Sequence, residues 1–193
     1  MESDMAGKKT IGLVLFPGFN MQDIVGPYEI FGQTGEYVIH TISENTQCLR
    51  TSGGLSVNAD FSFDECPLLD VLFVPGGKGI NDAIDRTGYK TFLQNQSKHA
   101  KFVAAVSRGA LLLASSGVLK GYKVTTAIDS LPVLIEMGLM TVKDLIVIDR
   151  SRITGGEKAS GADVSLVLMT SMEMEERIRV DNYRKRLVED AGW

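Results

Sequence analysis

Residues 101–114 read KFVAAVSRGALLLA. Lys101 to Val106 is a short apolar run, the pattern of a strand buried on both faces. Ser107-Arg108-Gly109 makes a sharp turn, and an apolar helix is expected from Arg108 to Ser116. Junctions of this kind often display a nucleophile. The turn therefore raises the question of whether Ser107 is a nucleophile, the replacement of one, or a helix cap.

Two further stretches follow the same rule. Lys9 to Phe16 (KTIGLVLF) ends at Pro17-Gly18, and Asp70 to Val74 (DVLFV) ends at Pro75-Gly76-Gly77. Between them, Ile24, Tyr28 and Phe31 have helical spacing, interrupted by Gly26-Pro27. Glu36 to Ile42 reads as a strand, and Gln47 to Asn58 as a hairpin turning at Ser52-Gly53-Gly54. Two short helices are expected between Lys78 and Ala100. Beyond the central junction come a short strand near Val124, a helix over Ser130 to Met137, and strands at Leu145–Ile148 and Arg152–Thr154. Ser160 and Asp163 have the spacing of an acidic capping box, opening a helix expected to pass Arg177.

Strands alternating with helices predict an α/β protein with a doubly wound, mostly parallel sheet and helices on both faces. Its 193 residues fit one domain, with residues 1–8 expected to be flexible. In such sheets the site lies beyond the carboxyl ends of the strands, at a topological switch point. Phe16, Val74 and Val106 should bring their turns to that shared edge.

Composition excludes several classes. A net charge of −4 argues against nucleic acid as a partner. No apolar run approaches the roughly 20 residues that cross a bilayer, and the polar start has no leader-like apolar core. Cys48 and Cys66 have neither CxxC spacing nor a histidine cluster, so no disulfide framework or zinc is expected. Each cysteine is expected to be buried or half-buried. A cytoplasmic protein without metal or cofactor is the expectation.

The chain resembles the ThiJ/PfpI family of the class I glutamine-amidotransferase-like superfamily, and within it the isonitrile hydratase branch. The resemblance runs from about Thr10 to Leu168. It rests on Phe16-Pro17-Gly18, on Asp23-x-x-Gly26-Pro27-x-Glu29-x-Phe31, and on Thr51-Ser52-Gly53-Gly54-Leu55. It continues through Asp70 to Gly77, Gly109 to Ala114, Gly117 to Gly121, Thr125-Thr126 and Ile153-Thr154-Gly155-Gly156. The fold it implies is a flavodoxin-like sandwich.

The resemblance implies a cysteine nucleophile at position 107, followed by threonine in this branch. Here the pair is Ser107-Arg108. A thiolate in such a turn is stabilised by the helix N-terminus, whereas a serine hydroxyl needs an adjacent base. His99 precedes the strand that ends at Val106, which puts it at the opposite edge, and His40 lies inside a strand. Where other members carry histidine, this chain has Arg108 and Ala127. Either a catalytic cysteine was replaced by Ser107, or the site diverged to non-covalent chemistry.

The resemblance assigns Asp23 as general acid/base; the alternative is a cap of the first helix. Gly76 and Gly77, with the amide of Arg108, are read as a substrate or oxyanion site, or as a plain turn. Arg108 either pairs with a substrate carboxylate or points outward to an acidic residue or a partner subunit. Glu29 is expected to face solvent. The implied activity is hydration of an isonitrile to an N-substituted formamide, slow or absent with serine at 107. The rival is a non-catalytic protein that binds a small molecule or carboxylate in the same pocket. A regulator is disfavoured because no helix-turn-helix follows. A homodimer through Ile24, Tyr28 and Phe31 is expected.

Overall fold

The computed structural model describes residues 7–190, with side chains to residue 178. The first half contains β1 (Lys9–Val14), α1 (Gln22–Gly32), β2 (Tyr37–Ser43), β3 (Leu49–Arg50), β4 (Ser56–Val57) and β5 (Phe61–Ser62). Next come β6 (Val71–Val74), α2 (Ile80–Asp85), α3 (Thr87–Gln96), β7 (Phe102–Val106) and α4 (Gly109–Ser115). The chain continues with β8 (Lys123–Val124), α5 (Leu131–Glu136), β9 (Met140–Thr141), β10 (Ile146–Asp149), β11 (Arg152–Gly155) and α6 (Gly161–Asp190).

The main sheet has the order β10-β11-β7-β6-β1-β2-β5. All its pairings are parallel except that of β10 with β11. Every residue of β6 and β7 is buried, as are Ile11, Leu13 and Val14 of β1. Their unbroken apolar runs satisfy helices on both faces of the sheet. α1 packs against α6, and α6 against β7 and β11, while α4 packs against β6, β7, α2 and α3.

From β1 the chain moves outward through β2 to β5, then returns to place β6 on the other side of β1. The switch point therefore lies between β1 and β6, and β7 ends beside them. The hairpin of β3 and β4 leans on this edge: Ser52 Oγ donates to the Gly18 carbonyl at 2.6 Å, and Gly18 N donates to Arg50 O at 2.6 Å.

Ser160 and Asp163 do form the capping box, with Ser160 N to Asp163 Oδ2 at 2.9 Å and Asp163 N to Ser160 Oγ at 3.2 Å. Of the flexible segment expected at residues 1–8, residues 1–6 lie outside the described residues. Two expectations are corrected, and β5 is a strand that the pattern does not announce. Cys48 is exposed, because it lies beyond the turn leaving β2; Cys66 is half-buried as expected. β5 pairs only two residues with β2, too short to show alternation in the sequence. Ile24 and Phe31 are 4% and 0% exposed, because α1 lies between β2 and α6, so neither can meet a partner subunit. Tyr28, at 47% exposure, does face outward, as does Val25.

The contact of α1 with α6 fixes the first turn of α1. A methyl group on Gly161 would overlap the carbonyl oxygen of Asp23, and one on Gly26 would lie 2.7 Å from Ala162 N. Backbone, not flexible side chain, fills both gaps. Gly161→Ala is expected to cost about 1–3 kcal/mol through overpacking, read as a lower urea midpoint. An unchanged midpoint would show that the two helices separate freely.

Candidate active site

Ser107 has φ 51°, in the left-handed region that a side chain adopts only at a cost. Among the described residues Arg150, in the turn between β10 and β11, is the one other non-glycine residue with positive φ. The bend at 107 is held from both sides. Ser107 N donates to Gly155 O at 2.8 Å, extending the pairing of β7 with β11. Thr126 Oγ1 donates to Ser107 O at 2.8 Å. The side chain does not cap α4, whose N-cap position is Arg108 and has no side-chain hydrogen bond. Its placement matches a side chain displayed at an elbow, the reading that capping left open.

Asp23 is in the first turn of α1 and 5% exposed. It does not cap that helix either. Its Oδ2 accepts the Gly76 N–H at 3.0 Å, across the crevice between β1 and β6. Burial raises its carboxyl above the ordinary range, with the Gly76 N–H and the Asn20 side chain partly offsetting that effect.

Gly76 separates the two candidate groups. A Cβ there would stand 3.1 Å from Asp23 Oδ2 and 3.2 Å from Ser107 Cβ. Glycine keeps a side chain out of the gap between Asp23 and Ser107. The Gly76 amide itself is already committed to Asp23, so it is not free to receive an oxyanion. Gly77 bridges to Phe19, and a side chain on it would overlap the Gly18 carbonyl. It joins the ends of β1 and β6 and so shapes the site's floor.

Arg108 turns outward. Its Nη2 pairs with Asp129 Oδ2, and Asp129 Oδ1 accepts Ser130 Oγ at 2.8 Å. The pairing partner belongs to the turn between Thr126 and α5, not to a neighbouring long helix. Glu29 and His99 are exposed. His40 sits edge-on to Phe61 within β2, and burial holds it below the usual imidazole range. Among the described residues no group of three or more His, Cys, Asp or Glu side chains gathers as a metal site would. No helix among them is long and apolar enough to cross a membrane.

Sequence reasoning assigned no role to Thr126, Gly155, Asn20 or Asp129. Thr126 was visible in the Thr-Thr pair, but its partner is a carbonyl 19 residues earlier. Beside it lies a cavity of about 250 Å³ lined by Thr125, Thr126, Ile128, Leu131 and Leu145, with Lys143, Asp144, Glu157 and Lys158 at its edge.

A strained turn facing a buried carboxyl at the switch point of a mostly parallel sheet defines an α/β protein with an elbow-type site. The DJ-1/PfpI family model matches residues 9–171, and the chain belongs to that family. It is 32% identical to the isonitrile hydratase of Pseudomonas putida over 158 residues, covering 82% of this chain and 69% of that protein. It is 27% identical over 199 residues to the HTH-type transcriptional regulator GbdR of Pseudomonas aeruginosa. That match covers 93% of this chain but about half, 54%, of the regulator. The crystal structure of a ThiJ/PfpI family protein from Pseudomonas syringae superposes with a TM-score of 0.81 at 30% identity. The superposition covers 87% of this chain and 72% of that one. Regulators, set aside in the sequence reading, are thus among the proteins this chain resembles.

The raised carboxyl has a consequence for stability. Between the ordinary carboxylate range and the raised value, the folded state holds a proton that the unfolded state has lost. Stability therefore falls as pH rises through that window. Asp23→Asn keeps an acceptor for Gly76 and removes the charge. It is expected to raise Tm at pH 7, with the gain vanishing below the ordinary carboxylate pKa. A lower Tm at pH 7 would mean that the buried charge stabilises the fold.

Proposed function

We propose that this protein is a small-molecule enzyme of the isonitrile hydratase type, working by acid/base chemistry at Asp23. The observation that carries the reading is the buried Asp23 carboxyl facing Ser107 across Gly76. Similarity to an isonitrile hydratase supports the substrate class. In the proposed reaction the protonated Asp23 gives its proton to the terminal carbon of the isonitrile. Water adds to the same carbon, and the Asp23 carboxylate takes a proton from it. The resulting formimidic acid tautomerises to the N-substituted formamide. One isonitrile and one water are consumed, and Asp23 ends protonated as it began.

Ser107 orients the water through its hydroxyl. It has no imidazole beside it to make an alkoxide, so a covalent route is not proposed for this chain. A thiol at the same place would meet the same carboxyl and add to the isonitrile directly. The pocket needs no cofactor in this scheme. We also propose a cytoplasmic homodimer, dimers being common in this family. The large apolar side chains that α1 could offer to its interface are Val25 and Tyr28.

A second reading has support of its own. A hydroxyl without a histidine, in a chain similar to regulators over 93% of its length, suits a protein that binds a small molecule without turning it over.

One pair of variants separates the readings. Ser107→Cys is expected to raise isonitrile hydration well above the parent rate, and the swap is small enough to leave the fold intact. Adding Asp23→Asn should then lower the rate by about 100-fold or more. A wild-type protein that hydrates neither methyl nor benzyl isonitrile, together with a folded Ser107→Cys protein equally inactive, would overturn the enzyme reading and leave the binding protein.

A further inference from the structure

An arginine beside the elbow invites an anionic ligand, but its charge is already matched. Arg108 and Asp129 form an ion pair spanning the start of α4 and the turn after Thr126. The Ser130 hydroxyl holds the other oxygen of Asp129, so the carboxylate is oriented before any ligand arrives. The same turn is fixed at a second point, where Ile128 N donates to Glu157 Oε2 at 2.8 Å. Thr126 in turn bonds the carbonyl of Ser107. Arg108 directly follows Ser107 and Asp129 lies three residues after Thr126, so the outward-turned pair stands beside the elbow. The adjoining cavity is walled by Ile128, Leu131 and Leu145, and its edge carries two lysines and two acids, Lys143, Lys158, Asp144 and Glu157.

We infer that Asp129 is a specificity-determining residue: by neutralising Arg108 it makes the site over Ser107 select uncharged small molecules and reject carboxylates. This inference rests on the site reading above and narrows its substrate class. Asp129 touches no reacting atom; it acts through Arg108. The Ser130 hydroxyl and the Arg108 guanidinium hold its carboxyl below the usual range.

The test uses two probes with equal numbers of heavy atoms, acetate and N-methylformamide. Amide resonances of residues 107–109 are followed by NMR as each probe is added. The wild type is expected to favour N-methylformamide over acetate. Asp129→Asn keeps the shape and frees the guanidinium. It should tighten acetate by about fivefold, the upper worth of an exposed ion pair, and leave N-methylformamide unchanged. Arg108→Ala added to Asp129→Asn should cancel the gain. Acetate binding that is equal in wild type and Asp129→Asn, or a gain that survives Arg108→Ala, overturns the inference. Asp129 is exposed and Arg108 only half-buried, so a nearly unchanged Tm should accompany either variant. Isonitrile hydration by the wild type and Ser107→Cys is scored separately: its absence from both sinks the proposed reaction, whereas an unmoved acetate preference sinks only the role of Asp129.

Discussion

The hydrogen bond from the Gly76 amide to the Asp23 carboxyl joins the end of β6 to the first turn of α1. It crosses the crevice at which the sheet reverses its winding order. For it to form, α1 must start close beside β6, and the contact of Gly161 with the Asp23 carbonyl presses it there. The carboxyl is thereby buried in the position where a ligand reaching position 107 would meet it. Much of the local architecture serves this placement: the glycines at the strand ends, the hairpin that rests on Gly18, and the capping box that starts α6.

Two unfavourable features meet at this point. A left-handed serine costs about 1–3 kcal/mol, and a buried carboxyl resists ionisation. Neither helps the fold. The bonds from Gly155 and Thr126 hold the serine in its conformation, and Gly76 and Asn20 solvate the acid only in part. Strain and a perturbed acid side by side are what a reaction centre requires, since each is relieved or used when a ligand arrives. The serine retains the geometry of the elbow while withdrawing the easily formed anion that a cysteine would supply. That contrast is why we propose the carboxyl, and not the hydroxyl, as the group that carries the chemistry.

Much of this was legible in the residues. Buried parallel strands advertise themselves as unbroken apolar runs, and each of the three that ends at the site is stopped by Pro-Gly or Ser-Arg-Gly. Ser107 and Gly76 stand out from the strand-turn pattern, and Asp23 from the family resemblance. What escaped depends on contacts distant in sequence. Ile24, Tyr28 and Phe31 share helical spacing, yet spacing cannot say that β2 and α6 between them cover two and leave the third in water. Arg108 gave no sign of Asp129, because the turn that carries it is positioned by the bonds of Thr126 and Glu157. The committed amide of Gly76 was equally hidden, since a Gly-Gly pair looks the same whether its N–H groups are free or bound.

The most direct measurement is the titration of the Asp23 carboxyl, followed by its side-chain carbon resonance in the wild-type protein. A midpoint above the ordinary carboxylate range is expected, carried by burial in the crevice. A midpoint at or below that range would mean that the Gly76 N–H stabilises the anion more than burial disfavours it. Asp23 would then be a fixed charge and not a proton donor.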